Sequence, residues 1–248
     1  MKNDKSLSPK QLRNYHNELW HTPQGKAIRE IVFGMNDGLI SMIGFIAGLI
    51  GAVEASKEIF TIRIGGIAEL IAGSISMALG AYLSTKSQIE FFSEEIEREK
   101  HEIKYDPQRE KQELVDIYKG YGFLDEEVEM IVNRITSSEK MWLNFMIKEE
   151  LGLIEERFDN PVNNALIMGI SFVIGSLPPL IPYLLPIESR SAFISSILLS
   201  IISLFLIGAG KTKVTNKSIF KSGLEVLMLG IIASTIGFTI GHLFSYLL

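Results

Sequence analysis

Glu99 and Glu102 stand three residues apart, and so do Glu110 and Glu113, with Asp106-Pro107 between the two pairs. On a helix, residues three apart share a face, so each Glu-x-x-Glu pair presents two carboxylates to one point. Asp106-Pro107 predicts a helix start, with Asp as cap and Pro in the first turn, and therefore a reversal that brings the two faces together. Four converging carboxylates repel one another unless a cation sits between them, and hard or borderline divalent ions take such oxygen sites. Met146 and Glu150 are four apart and share another face. A thioether beside carboxylates shifts the preference from Mg2+ and Ca2+ toward a softer ion such as Fe2+. There is no cysteine, and His16, His21, His101 and His242 show no ligand spacing. Helical di-iron centres take a Glu-x-x-His motif from each of two helices, a set that this chain lacks, which argues against a ferroxidase.

A second set of reactive residues lies in apolar sequence. Asp37 is the only charge within residues 31–53, a stretch long enough to cross a membrane, since about 20 residues at 1.5 Å each cover a ~30 Å hydrocarbon core. A carboxylate at that depth costs several kcal/mol and by default marks an ion or proton path. Asp37 and Met77 each lie about seven residues from the same membrane surface, on adjacent antiparallel spans, so both fall at similar depth. Carboxylate plus thioether suits a transient Fe2+ site. Glu69 lies two turns from Met77 on the same helix and offers a second station or a proton carrier. Small residues crowd both spans, among them Gly34, Gly38, Gly44 and Gly48 in the first and Gly65, Gly66, Gly73 and Gly80 in the second, which permits close helix packing.

The elements that must hold these groups are helices. Apolar windows near 31–53, 63–85, 162–187, 192–210 and 222–248 predict an all-α membrane protein with five transmembrane helices. A helical cytoplasmic domain is inserted between the second and third. The divisions are an N-terminal cytoplasmic segment (1–30), transmembrane helices one and two (31–86), a metal-binding insert (87–160) and transmembrane helices three to five (161–248). The second span is expected to run without a break into Ile89–Lys104, and further helices to begin at Asp106-Pro107, Asp125 and Ser137-Ser138. Residues 1–25 read as an interfacial helix with Leu12, Tyr15, Leu19 and Trp20 toward lipid. The prolines of 177–186 are expected to kink or break the third span near its outer end. No small-residue cleavage site precedes the first apolar window, so no signal peptide is expected.

Charge sets the orientation and the exclusions. The segment before the first span holds six Lys and Arg, the 54–62 connection only Lys57, the 186–191 connection only Arg190, and 211–221 four lysines. These counts place the N-terminus and the insert inside. Residues 87–160 carry 20 Asp and Glu against 10 Lys and Arg, a balance of −10 that favours cations and argues against a nucleic-acid partner. Without Cys or a Ser–His–acid set, no covalent catalysis is supported, and an enzyme is not expected.

The chain resembles the vacuolar iron transporter family from about residue 27 onward. The resemblance is carried by Val32-Phe-Gly-Met-Asn-Asp-Gly-Leu39, Ala68-Glu-Leu-Ile-Ala-Gly-Ser-Ile-Ser-Met-Ala-Leu-Gly80 and Tyr82-Leu-Ser-Thr-Lys-Ser87. The two Glu-x-x-Glu pairs, Phe145-Met-Ile-Lys-Glu-Glu-Leu-Gly-Leu153, Pro179-Leu-Ile-Pro-Tyr183 and Ser222-Gly-Leu-Glu225 add to it. It implies a five-span homodimer that exchanges cytosolic Fe2+, or Mn2+, for protons and has no tightly bound cofactor. It further implies that Asp37 and Met77 line a pathway between two subunits with Glu69 nearby, and that Glu99, Glu102, Glu110, Glu113, Met146 and Glu150 form the cytoplasmic site. Some relatives carry a second Met where this chain has Ile147. The expected partners are membrane lipid, divalent ions and a second copy of the chain. The expected setting is a prokaryotic plasma membrane or a eukaryotic vacuolar membrane. The competing reading is a membrane-anchored iron buffer or sensor that does not transport.

Overall fold

The computed structural model describes residues 24–52, 58–150, 160–215 and 218–247, and every regular element among them is a helix. They are α1 (Gln24–Ala52), α2 (Glu58–Tyr105), α3 (Pro107–Gly120), α4 (Asp125–Thr136), α5 (Glu139–Glu149), α6 (Pro161–Leu184), α7 (Ser189–Thr215) and α8 (Ile219–Leu247). Five of them, α1, α2, α6, α7 and α8, are long and apolar enough to cross a membrane. The expected interfacial helix of residues 1–25 and the stretch 151–159 lie outside the described residues, apart from the start of α1.

The chain divides into two compact units. One is residues 83–161, and the other is residues 1–82 together with 162–248. Helix α2 is 48 residues long, about 70 Å at 1.5 Å per residue, far more than a ~30 Å core needs. Its apolar part ends at Leu83, and Ser84-Thr85-Lys86 opens a polar stretch. The spanning segment is therefore the first half, and the carboxylates beyond Lys86 lie outside it. No Gly or Pro interrupts the join, so the helix runs on as the sequence predicts.

In the apolar unit, glycine decides the packing. A Cβ at Gly241 would sit 1.9 Å from the Gly48 carbonyl oxygen, and one at Gly237 would sit 2.3 Å from that of Gly44. Backbone thus touches backbone between α1 and α8, a spacing that any larger residue would forbid. Against α6, a Cβ at Gly38 would meet the Phe172 carbonyl at 2.2 Å, and one at Gly175 the Met35 carbonyl at 2.1 Å. Ser176 locks the same seam by donating its hydroxyl toward the carbonyls of Gly38 (3.1 Å) and Phe172 (2.9 Å). Met42, Ile46, Ile62, Leu180, Tyr183 and Ala192 form the buried cluster beyond it.

The third span ends where its prolines cluster. Helix α6 runs through Pro178, Pro179 and Pro182 and terminates at Leu184. The prolines fall in its last two turns, where the helix is about to end and only a few further turns of hydrogen bonding could be lost. Arg63 of α2 serves the freed end, donating from Nε to the Tyr183 carbonyl (2.5 Å) and from Nη2 to that of Leu185 (3.0 Å). By contrast, the apolar half of α2 leaves a face uncovered: Ile64, Ile67, Ile71, Ile75, Leu79 and Leu83 are all exposed.

The second unit is a small helical core. Ile103 of α2, Leu114 and Tyr118 of α3, Val128, Val132 and Ile135 of α4, and Trp142 and Met146 of α5 bury one another. Asp106 occupies the position before α3 but makes no side-chain capping bond. The start of α3 rests instead on Pro107 and on the Glu110 amide donating to the Asp106 carbonyl (3.2 Å). Gly122, at φ +91°, turns the chain between α3 and α4, a conformation that costs glycine little. Glu127 accepts the Leu124 amide at 2.9 Å and closes the first turn of α4.

Candidate metal centre

The chain reverses between α2 and α3 within one residue, the Asp106 amide donating to the Glu102 carbonyl at 2.8 Å. That reversal sets the last turns of α2 against the first turn of α3, and α5 supplies Glu150 at its end. Glu99, Glu110 and Glu150 consequently offer carboxylate oxygens that all lie within 4.8 Å of one another. Glu99 is 3% exposed and Glu110 1%, while Glu150 is exposed. Glu99 Oε1 and Glu110 Oε2 are buried without a hydrogen-bond partner. Buried acceptors in that condition cost free energy unless a cation or proton satisfies them.

The electrostatics follow. Burial pushes Glu99 up to about 8, and repulsion from Glu150 and Glu110 adds to it. Burial also raises Glu110, with Glu113 the next cause. Glu150 is raised by burial and then by Glu113 and Glu102. With its carboxyl raised to about 8, Glu99 is mostly protonated at neutral pH, and a divalent ion would displace that proton. The donor set, three carboxylates with two unsatisfied buried oxygens, fits a hard or borderline divalent cation.

Of the six residues expected here, three converge. Glu102 and Glu113 flank them and each also pairs with an arginine: Arg98 Nε lies 4.0 Å from Glu102 and Arg109 Nε 3.3 Å from Glu113. Both still raise the neighbouring carboxylates, so they remain part of the field. Met146 is wholly buried in the hydrophobic core beside Ile103 and Leu114. Glu149, next to Glu150 in sequence, turns away; the Tyr121 hydroxyl donates to it at 2.8 Å, and this bond and the Lys148 ammonium hold its carboxyl below the usual range.

In the apolar unit, Asp37 on α1 and Glu69 and Met77 on α2 are each half-buried. Asp37 and Glu69 join no cluster of metal-binding carboxylates and histidines among the described residues. The sequence reading passes over Glu30. It is 9% exposed and takes two bonds from Arg29, at 2.7 and 3.2 Å. Its signal was present: Glu30 precedes Asp37 by seven residues, two turns on one face. Next to Asp37, the Asn36 Oδ1 is buried without a hydrogen-bond partner.

Comparison with known proteins bears on this arrangement. The model of the VIT family matches residues 28–242. Vacuolar iron transporter 1 of Eucalyptus grandis is 37% identical over 227 residues, covering 92% of this chain and 90% of that protein. Vacuolar iron transporter 1 of Arabidopsis thaliana is 34% identical over 235 residues, 94% of this chain and 92% of that one. A vacuolar iron transporter of Plasmodium falciparum is 30% identical over 223 residues, 86% and 81% of the two chains. With five spans, a carboxylate cluster outside them and a match that covers most of its length, the chain belongs to the VIT family.

Proposed function

We propose that the protein moves Fe2+, and Mn2+ by the same ligands, across a membrane in exchange for protons. The observation that carries this reading is the convergence of Glu99, Glu110 and Glu150 around two unsatisfied buried oxygens. The relatives' names, vacuolar iron transporters, favour iron as cargo. In this proposal the insert is cytoplasmic, gathers the ion and raises its concentration at the pore mouth, with Glu102, Glu113 and Met146 completing the site. The ion then passes to Asp37 and Met77, and protonation of Asp37 or Glu69 on the more acidic side releases it. Proton and metal compete for one carboxylate, which couples their fluxes.

Two copies acting together suit the uncovered face of α2, whose Ile64, Ile67, Ile71 and Ile75 share a side with neighbouring small residues. The compartment is the vacuolar membrane in a eukaryote and the plasma membrane in a prokaryote. Proteoliposomes with an acidic lumen test the proposal. Fe2+ uptake should vanish in Asp37→Ala and when a protonophore collapses the gradient, while the insert still binds metal. Metal binding without flux in folded, oriented wild-type protein would instead establish the second reading, a tethered buffer.

A further inference from the structure

A cavity of about 490 Å3 lies within the apolar unit, between α1, α6, α7 and α8. Its origin is in the glycine pattern. At one end α8 leans on α7, where a Cβ at Gly208 would meet the Ser222 carbonyl at 2.4 Å and one at Gly230 the Leu204 side chain at 2.4 Å. At the other end α8 leans on α1 through Gly237 and Gly241. A helix drawn to two different neighbours at its two ends opens a wedge, and the cavity fills that wedge from Leu204 and Leu227 to Phe193 and Phe238. Eleven residues of helix separate those limits on α7 and on α8, about 16 Å along the span.

The lining is mostly apolar, with five hydroxyl-bearing side chains among it. It holds no charged side chain. Ser196 donates its hydroxyl to the Pro179 carbonyl and Ser200 to that of Ser196, each at 2.7 Å. Ser234 and Thr235 both donate to the Ile231 carbonyl, at 2.9 and 2.8 Å. These four hydroxyls spend their hydrogens on helix carbonyls, which leaves the cavity wall mostly hydrocarbon. The cavity is elongated along the span, as an extended acyl chain in a bilayer is. Five lining residues on α7 and α8, Phe193, Ile197, Ile201, Ile231 and Phe238, are between 39% and 49% exposed. The wedge thus opens sideways, where the surrounding solvent of a spanning protein is hydrocarbon.

The geometry points to a binding site for one acyl chain of a membrane phospholipid, held along α7 and α8 and resting on Ile46 and Ile50 of α1. The site reads the chain and not the headgroup, because no charged side chain in it could recognise one. It is independent of the metal centre and of the transport reading.

The test is photolabelling in nanodiscs by a phosphatidylcholine carrying a diazirine on one acyl chain, with the labelled residues mapped by mass spectrometry. Label is expected on Ile46, Ser200 and Leu204, which are 4%, 7% and 3% exposed and out of reach of lipid that merely surrounds the protein. Ala47→Phe and Ser234→Leu, on two different helices, should each lower that label about fivefold or more by filling the wedge. Labelling of exposed Ile194, Leu198 and Ile202 should stay unchanged. The same chain on phosphatidylglycerol should label equally. Label confined to the exposed belt, label on the buried residues that neither variant reduces, or buried label only from the free fatty acid would each overturn the assignment.

Discussion

Glu99 titrates far above a free glutamate, with Glu110 and Glu150 raised beside it. Its ordinary value of 4.5 rises to about 8 in the folded protein, so between those values the folded state holds a proton that the unfolded chain has released. Stability falls with rising pH wherever the native state binds more protons. The metal-free insert should therefore lose stability steadily as pH climbs from 4.5 to 8, followed by Trp142 fluorescence in a Trp20→Phe background. Glu99→Gln should flatten that dependence. Metal binding runs the other way, because the ion must displace the proton, so affinity should rise across the same window. Glu99→Gln should also weaken Fe2+ binding by at least about tenfold in equilibrium titration. Met146 separates two roles. Met146→Leu conserves volume and should cost less than about 1.5 kcal/mol of stability; a simultaneous loss of Fe2+ affinity with unchanged Mg2+ affinity is the outcome expected of a thioether ligand.

At the level of elements, glycine acts through what surrounds it rather than through its abundance. A Cβ on Gly241 would fall 1.9 Å from the Gly48 carbonyl oxygen, whereas Gly210 has open space where a Cβ would go. Gly241→Ala should force α8 off α1 and cost about 1–3 kcal/mol, a typical penalty for overpacking. Gly210→Ala should instead stabilise α7 by about 0.5–1 kcal/mol through reduced chain entropy. Thermal unfolding of the two variants in one detergent decides both. The prolines of α6 teach a related lesson. In sequence they announce a kink or a terminus near the outer end, and the helix ends at Leu184, where Arg63 serves the last carbonyls.

For the whole molecule, charge and hydropathy are segregated along the chain. Residues 87–160 hold 20 acids against 10 bases, and the rest holds 9 acids against 14 bases. A field of that strength accelerates cation capture and is screened by salt, with a Debye length of about 10 Å at 0.1 M and about 3 Å at 1 M. The association rate of Fe2+ with the protein should fall as KCl is raised over that range, measured by stopped-flow quenching of Trp142, while the dissociation rate changes little. A rate indifferent to salt would remove the gathering role from the acidic insert.

Helix class, the number of spans and the run of α2 past the apolar stretch were legible in the chain, because hydropathy and the absence of breakers act locally. So was the Glu-x-x-Glu spacing that sets each pair on one face. Local spacing does not reveal which oxygens end up buried. That Glu99, Glu110 and Glu150 converge while Glu102 and Glu113 pair with arginines depends on how α2, α3 and α5 pack around Leu114 and Met146. Glu30, hidden among charged neighbours in the sequence, likewise became a buried carboxylate through its surroundings. The wedge between α7 and α8 arises from glycines that choose different partners at the two ends of one helix. Periodicity along one chain reports a helix face, but only the packing of several helices decides what that face meets.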